Sequence, residues 1–473
     1  MIPNLTKIVS EFAVGLEFND LPTEVTDKAK LLLLDYIGYA LAGSQDNPSK
    51  IVTRMLIEKG GKKESTIIAH NGKYPCFNAA LANGVMGHCC EMDDTHRKTM
   101  MHPGDSILPA ALAIAEMKHS NGKELLSAII AAYEITLRIA EAIIISHYEK
   151  WHPTGTINTF GAAVAAGKLL YLDTAQTINA LGLAGTQAAG MWTFLPEMAM
   201  SKDLNPGKAA MNGVLAALLA SRGFTGGTQV LEAEKGFFRV YSQENIDLEK
   251  IVSTLGKNFK IMEVAHKPYS ACRYIHSAID ATLKIVKEHE VYPDGIKEIN
   301  VCLPSVPYEK LGKIQASGHY AARFNVPFQV AITIIGREKA LDEVLRNPSE
   351  YSERKLRSKE VLTLMKKVRV NLAPTLDRDF PESWPAIVSI KKCGGEISTQ
   401  RVDFPKGEPE NPISRKDLTR KFKILASLAL SEEQVEALLS KLTKIDESSD
   451  VSAIMEYTNP FKAKGVFPFC SVS

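Results

Sequence analysis

The chain of 473 residues is 45% hydrophobic and 23% charged, ordinary for a globular protein and too long for one core, since single cores stop growing at about 250–300 residues. A net charge of +2 with no long basic block excludes a global field drawing the chain to nucleic acid or a lipid surface. Seven cysteines, an odd count without a CxxC pair, argue against a disulfide framework or a zinc knuckle.

The stretch Met1 to Phe18 has no basic start followed by an apolar run, so it does not read as a secretory signal, and a cytoplasmic protein is expected. Pro22 opens a helix that stops near Gly43, with proline first and glycine last. Helical periodicity then predicts Pro109 to Met117, Lys123 to Ser146, Gly161 to Leu170, Ala175 to Gly190 and Gly207 to Arg222. The apolar stretch Ala128 to Ile145 carries Glu134, Arg138 and Glu141 on one face, which reads as a partly buried soluble helix and not a membrane span. Alanine and glycine crowd these helices, so close axes and a tight bundle are expected.

After about residue 266 the texture changes. Ile296 to Pro304, Val368 to Leu372, Ala386 to Ile390 and Glu396 to Val402 alternate as strands, with Gly394-Gly395 as a hairpin turn. Helices are expected at Ser277 to Glu288 and Phe324 to Ile335. The helical period returns at Leu418 to Leu428 and Ser431 to Lys441, where Ser431 to Gln434 resembles a capping box. The fold expected is mainly α. A large all-helical domain is formed by both chain ends, 1–266 and 408–473, and a smaller α+β lid, 267–407, is inserted through the Pro-rich return Pro405 to Pro412.

Four clusters could carry chemistry. The densest runs from His88 through Glu91, Asp93, Asp94, Thr95 and His96 to His102-Pro103-Gly104-Asp105. It reads as a solvated helix end, as a site loop presenting acid, hydroxyl and imidazole, or as a metal site built on His88, Asp93, His96 and His102. No fixed ligand spacing supports the metal. The second, Trp151-His152-Pro153-Thr154-Gly155-Thr156, places His152 near a helix start, which keeps an imidazole neutral. The third, Ser201-Lys202 to Gly207-Lys208, sets cations just before an Ala-rich helix. The fourth, at the domain junction, is His266-Lys267-Pro268-Tyr269 to Cys272-Arg273 and His276. Each also has a bland reading, as a solvated lysine, a loop histidine or an inert thiol.

These segments, in this order and spread over nearly the whole chain, resemble the MmgE/PrpD family. The motifs are Asp93-Asp94-Thr95-His96, His102-Pro103, His152-Pro153-Thr154-Gly155, Ser201-Lys202 through Pro206-Gly207-Lys208, and Lys267-Pro268-Tyr269 through Arg273-Tyr274-Ile275-His276. The resemblance implies a homodimeric, cofactor-independent and metal-free lyase acting on a small polycarboxylic acid, of the 2-methylcitrate dehydratase type. Epimerase and cis-aconitate decarboxylase chemistry are the alternatives. It implies catalytic roles for Glu91, Thr95, His102, His152, Lys202 and Lys267. Substrate contacts are expected from Asp93, Asp94, His96, Lys208, Tyr269, Cys272, Arg273 and His276. Three departures stand out. Glu91 replaces a usual Asp, the spacing from Thr95 to His102 is one residue longer than in the decarboxylase, and Phe328 takes the place of a lid Tyr, which argues against decarboxylation.

Overall fold

Small residues decide how the helices pack. In the computed structural model, which describes residues 4–242, 246–336 and 356–460, the helix Ser201–Ala220 lies against Cys76–Cys89 and Asn158–Leu169. A Cβ on Gly207 would stand 2.5 Å from the Leu81 carbonyl, and one on Gly213 2.4 Å from the Ala162 methyl. Glycine at these positions is what allows the backbones to approach.

The helix Thr23–Gly43 begins after Pro22, while Gly104–Lys118 and Ser201–Ala220 start about one and a half turns earlier than the sequence suggests. Proline reads as a helix opener, yet Pro109 and Pro206 sit inside their helices. The first turns that precede them are anchored by buried polar groups, Asp105 in one and Lys202 and Asp203 in the other. The single helix expected from Lys123 to Ser146 is two, Gly122–Glu141 and Ile144–Lys150. The helix expected to reach Gly190 is Thr174–Gly185. The chain leaves it so that the Gly190 carbonyl accepts from the His152 backbone N–H at 3.2 Å.

Near the C-terminus, Arg415–Ala426 packs on Thr23–Gly43, with Phe422 seated against Gly38. Ser431 caps Glu432–Thr443 through the Gln434 backbone N–H at 3.4 Å. The helical elements share one apolar cluster that takes in Leu33, Ile114, Phe160, Phe422 and Leu438.

A second apolar cluster is built around a four-stranded sheet, and includes Ile299, Val301, Phe328, Val388 and Ile390. Its strand order is Val368–Leu372, Ile296–Leu303, Ala386–Lys392, Ile397–Val402. The first pair is parallel and the others antiparallel. Gly395, at φ +93°, supplies the left-handed residue of the turn. His276–Glu288 packs on the sheet, and Val326–Ile335 packs on that helix. A two-residue antiparallel pairing, Thr95–His96 with Val264–Ala265, ties the first chemical cluster to the segment that leads into the fourth. Among the described residues no helix is long and apolar enough to cross a membrane. Cys470 lies outside the described residues.

Candidate active site

The helix Cys76–Cys89 ends at the first cluster, and Glu91 then takes φ +52°. A left-handed conformation at a residue with a Cβ costs of order 1 kcal/mol and persists only where the surroundings hold it. Two lysines hold it. The Lys202 ammonium donates to Glu91 Oε1, and Lys267 Nζ donates to Glu91 Oε2 at 3.1 Å and to Asp93 Oδ1 at 2.8 Å. All four side chains are buried.

Burial by itself would lower both ammonium groups, but the facing carboxylates override it and hold Lys202 and Lys267 above the usual lysine value. Burial would likewise raise Glu91 and Asp93. Lys202 with Lys267 holds Glu91 below the usual carboxylate range, and His102 with Lys267 does the same for Asp93. The floor of the site is thus a buried, charge-balanced pair of lysines and carboxylates. The solvated reading of Asp93 and Asp94 is overturned, since both lie within 1% of complete burial.

Three imidazoles stand over this floor. His88 Nε2 lies 2.6 Å from Lys202 Nζ, which can only donate, so Nε2 accepts and Nδ1 carries the hydrogen. That Nδ1–H faces Asp105 at 2.7 Å and Asp93 at 3.0 Å. Burial, then the charge of Lys202, pushes His88 down to about 4, so it is neutral. Burial, then Asp93, pushes the Asp105 carboxyl well up.

His102 Nδ1 faces the Asp94 carbonyl at 2.8 Å, Asp93 Oδ2 at 3.0 Å and Thr95 Oγ1 at 3.2 Å. A carbonyl can only accept, so Nδ1 carries a hydrogen and Nε2 is left as the atom that can exchange a proton with a bound molecule. His152 has the reverse polarity. Asn205 Nδ2 donates to its Nδ1 at 3.0 Å, which leaves the hydrogen on Nε2. Burial, then neighbouring His88 and Lys202, pushes His152 well below the ordinary imidazole value. The Nε2 atoms of His102 and His152 bond to no described residue. Both rings line a narrow cavity with Glu91, Thr95, Lys202, Cys272 and Arg273.

Six aromatic rings complete the lining, Tyr148, Trp192, Phe194, Tyr274, Phe324 and Trp384, with Trp192 and Phe194 packed edge-on against the His152 ring. A wider groove of about 570 Å³ runs past Glu17, Lys123, Lys168 and Asp446, but its lining has no imidazole or thiol, so it offers no comparable acid–base chemistry.

Several residues expected at the substrate lie elsewhere. His96 turns away from the cavity, its Nδ1 on Thr99 Oγ1 and its Nε2 3.7 and 3.8 Å from Glu263 and Glu141. Successive residues of an extended strand face opposite ways, so Thr95 and His96 cannot both reach the cavity. Lys208 is half-buried and bonds the Ala189 carbonyl. Six positions along a helix rotate about 240°, which takes it off the Lys202 face. Tyr269 donates to Asp280 at 2.5 Å. His276 supports Arg273 at 2.8 Å instead of facing the cavity. Asp94, raised to about 6 by burial, accepts from Tyr133 at 2.7 Å and from the Gly104 N–H at 2.9 Å beneath the site. Burial, then Glu91, drives the Cys272 thiol up to about 12, so it is no ready nucleophile. Phe328 is fully buried in the second apolar cluster, and the ring of that region which lines the cavity is Phe324. The sequence reading weighed His88 only as a metal ligand and gave no catalytic or binding role to Asp105, Asn205 or Lys310. His88, Asp105 and Asn205 stood inside its clusters, and Lys310 in none.

A helical body with a buried lysine–carboxylate floor, two oppositely polarised imidazoles and an aromatic lining forms a candidate acid–base site. The chain belongs to the MmgE/PrpD family, whose N-terminal domain description matches residues 7–249 and C-terminal domain description residues 269–445. It is similar to the cis-aconitate decarboxylase of Mus musculus, 28% identical over 96% of this chain and 93% of that one. It is also 26% identical to the cis-aconitate decarboxylase of Aspergillus terreus, over 96% of each chain. The Homo sapiens cis-aconitate decarboxylase is 26% identical over 96% of this chain and 94% of its own.

Proposed function

We propose that the protein is a cofactor-independent lyase that forms a carbanion next to a carboxylate of a small polycarboxylic acid, and that the reaction is loss of water from a 2-methylcitrate-like hydroxy acid. The observation that carries this reading is the opposite hydrogen-bond polarity of His102 and His152 above one lysine–carboxylate floor.

His102 Nε2, holding a lone pair, takes the α-proton. The C–H electrons form the double bond as the C–O bond breaks, and His152 Nε2–H donates to the departing hydroxyl. Neutral imidazole serves as such a donor where burial keeps it neutral. Transfer of one proton from His102 to His152 restores the starting state. Lys202, with Lys267 behind Glu91, opposes the charge developing on the substrate carboxylate, and preorganised donors of this kind are worth about 3–4 kcal/mol. Thr95 and Asp93 orient His102. The body, 1–266 and 408–473, supplies Glu91, Asp93 and Lys202 of the floor, and the lid, 267–407, supplies Lys267 together with Cys272, Tyr274, Lys310, Phe324 and Trp384.

A second reading, decarboxylation of a cis-aconitate-like acid, is favoured by the relatives. It needs the same lysine–carboxylate floor and only one proton donor, His152, to quench the carbanion.

The test incubates the protein with 2-methylcitrate, citrate and cis-aconitate, following absorbance of a new conjugated double bond and release of CO2. A rise in absorbance from a hydroxy acid, lost at least tenfold in His152→Gln, supports dehydration. CO2 from cis-aconitate supports the second reading. Neither signal from any of these acids removes both.

A further inference from the structure

Lys202, Lys267 and Arg273 are each matched by carboxylates of the chain: Glu91, Asp93 and Glu408. A bound anion therefore meets a floor that is already neutral. Lys310 differs. It lines the same cavity from the helix Ser305–Leu311, is half-buried, and forms no ion pair among the described residues. Its ammonium lies over two aromatic faces, 4.5 Å from the Trp192 centroid and 5.4 Å from that of Tyr148. Exposed Glu309 is the acid that acts on it, and burial lowers it from the ordinary lysine value. Lys310, Trp192 and Leu195 also line the open groove outside, so Lys310 stands at the mouth of the site.

We infer that Lys310 is a specificity-determining residue that pairs with a carboxylate of the substrate remote from the reacting carbon, so that the site selects tricarboxylic over dicarboxylic acids. The inference rests on the lyase reading above for the location of the reacting end. A cation fixed by ring faces, partly out of water and without a carboxylate of its own, gains more from an incoming anion than one already paired. Trp192 and Tyr148 hold the ammonium in place, so little side-chain freedom is lost on binding.

The test is calorimetric binding of tricarballylate, glutarate and methylsuccinate to the full chain and to Lys310→Met and Lys310→Arg, with thermal melting as the folding control. Methionine keeps the length and can still lie on the Trp192 ring. The expected result is a weakening of tricarballylate binding by about tenfold or more in Lys310→Met, the size of one partly desolvated ion pair. The two dicarboxylates should change less than twofold, and Lys310→Arg should retain most of the affinity. Equal losses for all three acids, or no loss for tricarballylate, would overturn the role of Lys310 while leaving the lyase reading standing. If the unaltered protein binds none of the three acids, the polycarboxylate reading fails and this inference fails with it.

Discussion

Removing Lys267 tests the charge balance of the floor. Its ammonium is fully buried and bonds Glu91 at 3.1 Å and Asp93 at 2.8 Å. Lys267→Met keeps most of the volume but leaves one net negative charge more than the pocket can compensate. Lys202 still holds Glu91, so the burden falls on Asp93. Breaking a buried pair from one side costs about 3–5 kcal/mol. The partial relief that Asp93 receives from His88 and His102 places this case near the lower end. Asp93→Asn in the Lys267→Met background removes the stranded charge and should recover at least about 1 kcal/mol, a coupling within the range of contacting groups.

Urea unfolding of the four proteins, followed by tryptophan fluorescence, measures the cycle. The pH sign is fixed as well. Glu91 and Asp93 lie below their ordinary values in the native protein, so their contribution is present above the unfolded carboxylate range and lost as pH falls through the folded values. Without Lys267 these carboxyls take up protons more readily, so the deficit of the variant should shrink from pH 8 to pH 5. A loss below about 1 kcal/mol at pH 8, or losses of the two substitutions that simply add, would refute the buried charge-balance argument.

Asn205→Leu removes the donor that fixes the His152 tautomer. It should lower kcat about tenfold or more with KM changed less than twofold, read from steady-state kinetics on whichever acid turns over. Burial raises the Asp203 carboxyl to about 7, above its unfolded value, so its contribution is full below the unfolded value and lost as pH rises through about 7. Asp203→Asn should therefore melt higher than the native protein at pH 8, with the difference disappearing towards pH 4, as checked by thermal melts across that range. A Cβ on Gly122 would stand 1.6 Å from the Ile445 carbonyl. Gly122→Ala should thus cost about 1–3 kcal/mol by prising the C-terminal segment off the helical body, seen as faster amide exchange around Ile445.

Much of the architecture was legible because it is local. The helix from Thr23 to Gly43 and the strands from Val368 and Ala386 follow from side-chain periodicity and from the proline and glycine at their ends. The errors have local causes too. Pro109 looks like an opener and Gly207 like a first residue from the sequence, yet the buried polar segments before them extend the helices to Gly104 and Ser201, about one and a half turns further. The opposite placement of Thr95 and His96 follows from strand alternation, and that of Lys202 and Lys208 from helical rotation. Both could have been read from spacing alone.

The residue types of the site, with two lysines, two imidazoles and clustered carboxylates, were written in the chain. Their protonation was not. Whether Asp93 is solvated or buried against Lys267, and which nitrogen of His152 carries hydrogen, depends on groups 174 and 53 positions away. Desolvation and hydrogen-bond polarity are properties of what surrounds an atom. Only the tertiary structure brings Lys267 to Asp93, Asn205 to His152, and Lys310 to the mouth of the cavity.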